Sequence, residues 1–145
     1  MRTYLTIDAG IAFKLIAPHP KQQVYIDLVT RWQQAGYQLC APTLWAYEVT
    51  STFTKMVHFK QLSATTGREG VRLAYQLGVE LIEPNYEQAR NAVAWSKRLR
   101  RAAAYDSFYL AVAESLGCEL WTTDKRLVNA VAQPWVKLVD ETITT

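Results

Sequence analysis

The sequence predicts an α/β fold with a central, mainly parallel sheet covered by helices on both faces. Three observations carry that expectation. Short apolar runs of strand length recur along the 145 residues, and longer segments with apolar residues at helical spacing separate them. Glycines stand where several of those helical segments end. Strands that alternate with helices favour parallel pairing, because a crossover helix must bury its apolar stripe against the sheet.

In chain order, residues 3–7 read as the first strand, and the apolar segment Ile11, Ala12, Phe13, Leu15 and Ile16 follows at once. Val24, Leu28, Val29 and Trp32 mark a helix stopped by Gly36, and residues 38–41 form the next strand. Pro42 and Thr43 are expected to open a helix with Leu44, Trp45, Val49, Phe53, Met56 and Val57 as its apolar set, since proline suits a first turn. Residues 63–77 form a helix ended by Gly78, 80–82 a strand, and 85–99 a helix capped by Asn85. Residues 103–116 form a helix closed by Gly117, followed by a strand at 119–122, a short helix from Asp124 and a strand at 136–139. A single domain over 1–140 is expected, with a short frayed tail at 141–145. There is no linker, repeat or glycine-rich phosphate loop.

The composition is that of an ordinary soluble domain, half apolar and one fifth charged, and large enough to fold without metal or disulfide staples. No apolar run reaches the ~18 residues a membrane span requires, and Asp8 and Lys14 interrupt any signal-peptide core. Cys40 and Cys118 are far apart in sequence and read as reduced core thiols of a cytoplasmic protein. With His19 and His58 they show no zinc-ligand spacing.

Four acids stand in places that suit acids poorly. Asp8 ends the first strand in "TIDAGIAFKL", and Asp124 ends "WTTD" in the same way. Each is either a helix N-cap or a site residue, because in open parallel sheets ligands collect at the carboxyl ends of strands. Asp106 is followed at helical spacing by Tyr109, Leu110 and Ala113, which puts it on an apolar face near the helix start. The alternative is a first-turn acid favoured by the helix dipole. Glu48 follows Leu44 and Trp45 by one turn and sits at the edge of a core stripe, where a structural ion pair is the alternative. One acidic pocket above the sheet's carboxyl edge accounts for all four together.

The segments "TIDAGIAFKL", "APTLWAYEVTSTF" and "AAYDSFYLAVAESLGCELWTTDKRL" resemble, in order and separation, the PIN-domain ribonucleases, and within them the VapC-type toxins of bacterial toxin–antitoxin pairs. The likeness covers nearly the whole chain. It implies a three-layer α/β/α fold with four to five strands, and an endoribonuclease that leaves 5′-phosphate and 3′-hydroxyl ends. It also implies that Asp8, Glu48, Asp106 and Asp124 bind Mg²⁺ or Mn²⁺ with support from Thr122. RNA as substrate, a cognate antitoxin and a homodimer are the implied partners; Trp32 and Trp45, read as exposed, would favour such interfaces. The family often carries Ser or Asn two places after the first Asp, where this chain has Gly10.

The chemistry fits that set. Carboxylates hold hard divalent cations, which activate water and neutralise phosphoryl charge. Two carboxylates ~5 Å apart repel by about 3 kcal/mol at an effective dielectric near 20, and a cation cancels that repulsion. Of the 13 acids, setting these four aside leaves 9 against 16 bases, a balance of +7 in place of +3. An acidic pocket within a basic surface suits a polyanion, and Lys97, Arg98, Arg100 and Arg101 are candidates to grip phosphates. Their alternative is a solvated helix C-terminus favoured by its dipole. The aromatics are read as core or interface, not as stacking platforms.

Other readings compete less well. A haloacid-dehalogenase-type phosphatase needs an Asp at position 10, and a receiver domain needs an acidic pair beside the first strand. An idle RNA-binding or scaffold module of the same fold is the alternative from a different class.

Overall fold

The computed structural model describes residues 2–142. Its strands are β1 (Thr3–Ile7), β2 (Tyr37–Pro42), β3 (Glu80–Ile82), β4 (Glu119–Thr122) and β5 (Val136–Leu138). The helices are α1 (Ala9–Ile16), α2 (Gln22–Gln34), α3 (Leu44–His58), α4 (Ala64–Gln76), α5 (Tyr86–Leu99), α6 (Tyr105–Leu116) and α7 (Lys125–Val131). All five strands pair in parallel, in the order β3-β2-β1-β4-β5.

That order makes β1 the switch point. The chain leaves β1 toward β2 on one side, and later returns to place β4 on the other. Helices that flank such a strand diverge, opening a crevice above its carboxyl end. The sheet is covered on both faces. Leu5, Ile7 and Leu39 pack with Tyr25, Val29 and Trp32 of α2, while Ala41 and Leu120 pack with residues of α3, α6 and α7. This gives the three-layer α/β/α arrangement. Thr6 is fully buried between Cys40 Sγ (3.4 Å) and Cys118 Sγ (3.3 Å). Both thiols are free.

Several local expectations are corrected. Pro42 does not open a helix; it ends β2 opposite Ile82. The pairing of β2 with β1 ends at Cys40, so the missing proline N–H costs no ladder bond on that side. Helix α3 starts at Leu44 after Thr43. Helix α6 begins at Tyr105, two residues later than its alanines suggest, and its cap residue Ala104 makes no side-chain cap bond. Trp32 and Trp45 are 7% and 1% exposed, so neither is an interface aromatic. The exposed aromatics are Tyr37, Tyr47, Phe59, Tyr75, Tyr86 and Tyr105. The tail is not frayed where it is described: Glu141 accepts from Lys14 and from the Tyr25 hydroxyl, tying it to α1 and α2. Residues 143–145 of that expected tail lie outside the described residues.

Helix α4 braces α3, the carrier of Glu48. A Cβ at Gly70 would lie 2.3 Å from the Phe53 ring, so only glycine permits that approach without displacing the ring. No helix among the described residues is long and apolar enough to cross a membrane.

Candidate active site

Asp8 follows β1 and caps α1. Its Oδ1 accepts the Ile11 N–H at 3.0 Å. Its Oδ2 accepts the Thr122 hydroxyl at 2.6 Å and the Thr123 N–H at 3.0 Å. The Thr122 hydroxyl in turn accepts the Asp124 N–H at 3.0 Å. Asp8 is therefore both cap and site residue, fastened across the switch point to the end of β4. Burial holds its carboxyl above the usual carboxylate range, against three hydrogen bonds that favour the charge, and nearby Asp124 adds to the rise.

Asp124 caps α7 by accepting the Leu127 N–H at 3.1 Å, and stands exposed at the rim. Glu48, in the second turn of α3, accepts the Tyr109 hydroxyl at 2.6 Å. Its partner is a hydroxyl, not the cation that a structural ion pair requires. Burial raises the Glu48 carboxyl, the Tyr109 bond lowers it, and the charges of Asp106 and Asp8 raise it further. Burial and Glu48 likewise push the Tyr109 hydroxyl well above its ordinary value, so it stays a donor. Asp106 lies in the first turn of α6, and Arg101 approaches its Oδ2 at 3.7 Å.

These elements enclose one cavity of about 100 Å³ whose lining includes Asp8, Glu48, Asp106, Thr122 and Asp124. All five predicted site residues meet there. Tyr109 lines it too; its signal in the sequence was its place three positions after Asp106, on the same helix face. Thr123 and Gly10 form a further pair. A Cβ on Gly10 would fall 2.4 Å from Thr123 Oγ1, so the hydroxyl of Thr123 fills the space that a side chain at position 10 would need.

The donor set is all oxygen and anionic, which suits Mg²⁺ or Mn²⁺ better than zinc or copper. Among the described residues no three acids converge closely enough to grip one ion between them. That spacing fits a cation that retains several waters and takes one or two carboxylates directly, as Mg²⁺ does. Uncommitted oxygens remain for it: Glu48 and Asp124 each use one carboxylate oxygen in the hydrogen bonds above.

A five-stranded parallel sheet with acids gathered above its switch point defines a PIN-like α/β/α domain. Residues 5–132 match the PIN domain family, and the chain belongs to it. No curated protein matches it in sequence. Among solved structures it is similar to VapBC2 from Rickettsia felis bound to a DNA fragment from its promoter, with a TM-score of 0.72 at 11% identity over 95% of this chain and 100% of that one. It is similar to a toxin–antitoxin complex from Klebsiella pneumoniae, TM-score 0.68 at 17% identity, over 92% and 95% of the two chains. VapC20 from Mycobacterium tuberculosis, described as a sarcin–ricin loop cleaving toxin, aligns with a TM-score of 0.60 at 12% identity over 87% and 94%.

Proposed function

We propose that this PIN domain is a metal-dependent endoribonuclease and the toxin half of a type II toxin–antitoxin pair. The observation that carries the reading is the single cavity lined by Asp8, Glu48, Asp106 and Asp124, with Thr122 at its back. The structural likeness to toxin–antitoxin complexes and to a sarcin–ricin loop cleaving toxin supports the choice of RNA and of an antitoxin partner.

Bound Mg²⁺ or Mn²⁺ supplies charge neutralisation at the scissile phosphate and acidifies a water. The protein's part is orientation. Three donors fix both oxygens of Asp8, so that carboxylate cannot turn away from the cavity. The Tyr109 hydroxyl fixes one oxygen of Glu48, which lines the cavity, and leaves the other uncommitted.

An antitoxin would silence such a site most directly by inserting a basic side chain among the acids. For a homodimer, the support is an apolar groove lined by Pro42, Leu44, Tyr47, Pro84, Tyr105 and Phe108, of which Tyr47 and Tyr105 are 72% and 66% exposed. Such a protein would work in the cytoplasm, where its free cysteines stay reduced. Incubation with RNA in Mn²⁺, Mg²⁺ and EDTA tests the reading. Cleavage with either ion, stopped by EDTA and lost in Asp106→Asn, is the expected result. RNA binding without cleavage in any condition would make the domain an idle binder, and cleavage that persists in EDTA would remove the metal mechanism. Light scattering that gives a monomer mass at all concentrations would remove the dimer.

A further inference from the structure

A second groove, of about 590 Å³, adjoins the acid cavity and shares Glu48 and Asp106 with it. Helix α3 forms one wall and the α5–α6 connection the other. On α3, Ser51 and Lys55 follow Glu48 at helical spacings of three and seven, so one helix face carries them away from the acids. Lys55 is exposed and makes no ion pair among the described residues. Arg101 faces it from the opposite wall.

The backbone under Arg101 is held. Helix α5 ends with Arg100 in the left-handed region (φ 55°), and the Arg101 N–H closes the turn on the Ser96 carbonyl at 2.8 Å. The Ser107 hydroxyl donates to the Ser96 hydroxyl at 2.8 Å, a buried bond that joins α5 to α6, while Ser96 donates to the Ala92 carbonyl. On this fixed base the Arg101 side chain spans to Asp106 Oδ2 at 3.7 Å, with the two side chains 38% and 48% exposed. An ion pair so open to water is weak and opens readily. A phosphodiester can take the guanidinium through direct hydrogen bonds, whereas Asp106 stands at 3.7 Å, beyond hydrogen-bond distance. By contrast, Arg98 lies over the Trp95 ring at 4.4 Å and is already engaged on α5.

We propose that this groove seats the backbone of single-stranded RNA beside the scissile phosphate, with Lys55 and Arg101 each taking a phosphate oxygen. Arg101 exchanges Asp106 for the RNA, which frees the Asp106 carboxylate for the cavity at the moment substrate arrives. The space is that of an ordinary small-ligand pocket, room for about one nucleotide and its flanking phosphates but not for a duplex. Only the identity of the cut strand rests on the ribonuclease reading; the binding does not.

The test is fluorescence anisotropy with a short labelled single-stranded oligoribonucleotide of mixed sequence, titrated in EDTA over a range of salt. Lys55→Ala and Arg101→Ala are each expected to weaken binding about five- to tenfold and to lower the log–log salt slope by roughly 0.7, one single-strand phosphate contact each. Arg72→Ala, outside the groove, is expected to leave both unchanged. In Mn²⁺ both groove variants should lose cleavage chiefly through KM, and both should keep the parent's Mn²⁺-induced rise in melting temperature. The proposal is overturned if affinity and slope are unchanged in both variants, or if a duplex of the same sequence binds as well and loses as much. Loss of the Mn²⁺ response in Arg101→Ala would assign that side chain to the acids and also overturn it. If the parent binds RNA, the variants lose that binding and no protein cleaves, the ribonuclease reading fails while the groove assignment stands.

Discussion

The β1–α1 and β4–α7 junctions follow the same local grammar: a short strand ends, an aspartate caps the next helix, and the acid faces the same cavity. Their surroundings differ. Asp8 is partly buried and accepts three hydrogen bonds, two of them from Thr122 and Thr123 at the end of the neighbouring strand β4. Asp124 is exposed and its side chain accepts one, from its own helix. A carboxylate locked in this way is a fixed reference for the site, whereas one held through a single oxygen is free to adjust to what the cavity contains. Identical capping chemistry thus serves two roles, and the switch point decides which.

The largest effect should come from removing Asp8, and it is read against the removal of Asp124. Asp8→Ala strands the Thr122 hydroxyl and the Thr123 N–H as well as the cap, a loss of about 2–4 kcal/mol in EDTA. Asp124→Ala removes a cap alone, about 1 kcal/mol. Urea denaturation reads both, and equal losses would erase the distinction between the junctions. Next in size is Gly10→Ala, which acts on the Asp8 side only. It must displace Thr123, whose N–H holds Asp8, at a cost of about 1–2 kcal/mol. The double variant Gly10→Ala/Thr123→Ala should recover most of that loss, so the mutant cycle should show clear coupling. Additive losses would mean that the two positions do not meet.

A pH comparison sharpens the point for the buried acids. Glu48 and Asp8 have folded values raised above their unfolded ones. Their contribution to stability is complete below the ordinary carboxylate range and is lost as pH rises through the raised values. The metal-free parent should therefore lose melting temperature as pH rises above the ordinary carboxylate range, and Glu48→Gln, which keeps the Tyr109 bond, should show a flatter profile. Glu69, Asp140 and Glu141 are held below their usual range, so their opposite change falls at lower pH. A parent and variant with the same slope would show that Glu48 carries no such strain.

The smallest effect is expected at Asp106. It is half exposed and already meets Arg101, so Asp106→Asn in EDTA should match the parent or gain less than about 1 kcal/mol. Mn²⁺ should raise the parent's melting temperature, because it binds the folded state, and raise the variant's much less. A variant less stable in EDTA that responds normally to Mn²⁺ would return Asp106 to the role of a first-turn dipole acid.

Elements set by short-range pattern were legible in the sequence: the caps at Asp8, Asn85 and Asp124, the glycine stops at 36, 78 and 117, and the side of α6 on which Asp106 and Tyr109 sit. Backbone hydrogen bonding and side-chain periodicity act over three or four residues, so a local reading reaches them. The contacts that turn four acids into one cavity lie beyond that range. Tyr109 meets Glu48 across 61 positions and Thr122 meets Asp8 across 114. The burial of Trp32 and Trp45, Pro42 as the end of a strand, Thr123 in the place of a side chain at position 10, and the hold on Glu141 are of the same kind. Each depends on which strand neighbours which and on how closely two helices approach. The order β3-β2-β1-β4-β5 and the packing of α3 and α6 over it decided those matters. Alternating strands and helices are compatible with more than one strand order, and only the closed core selects among them.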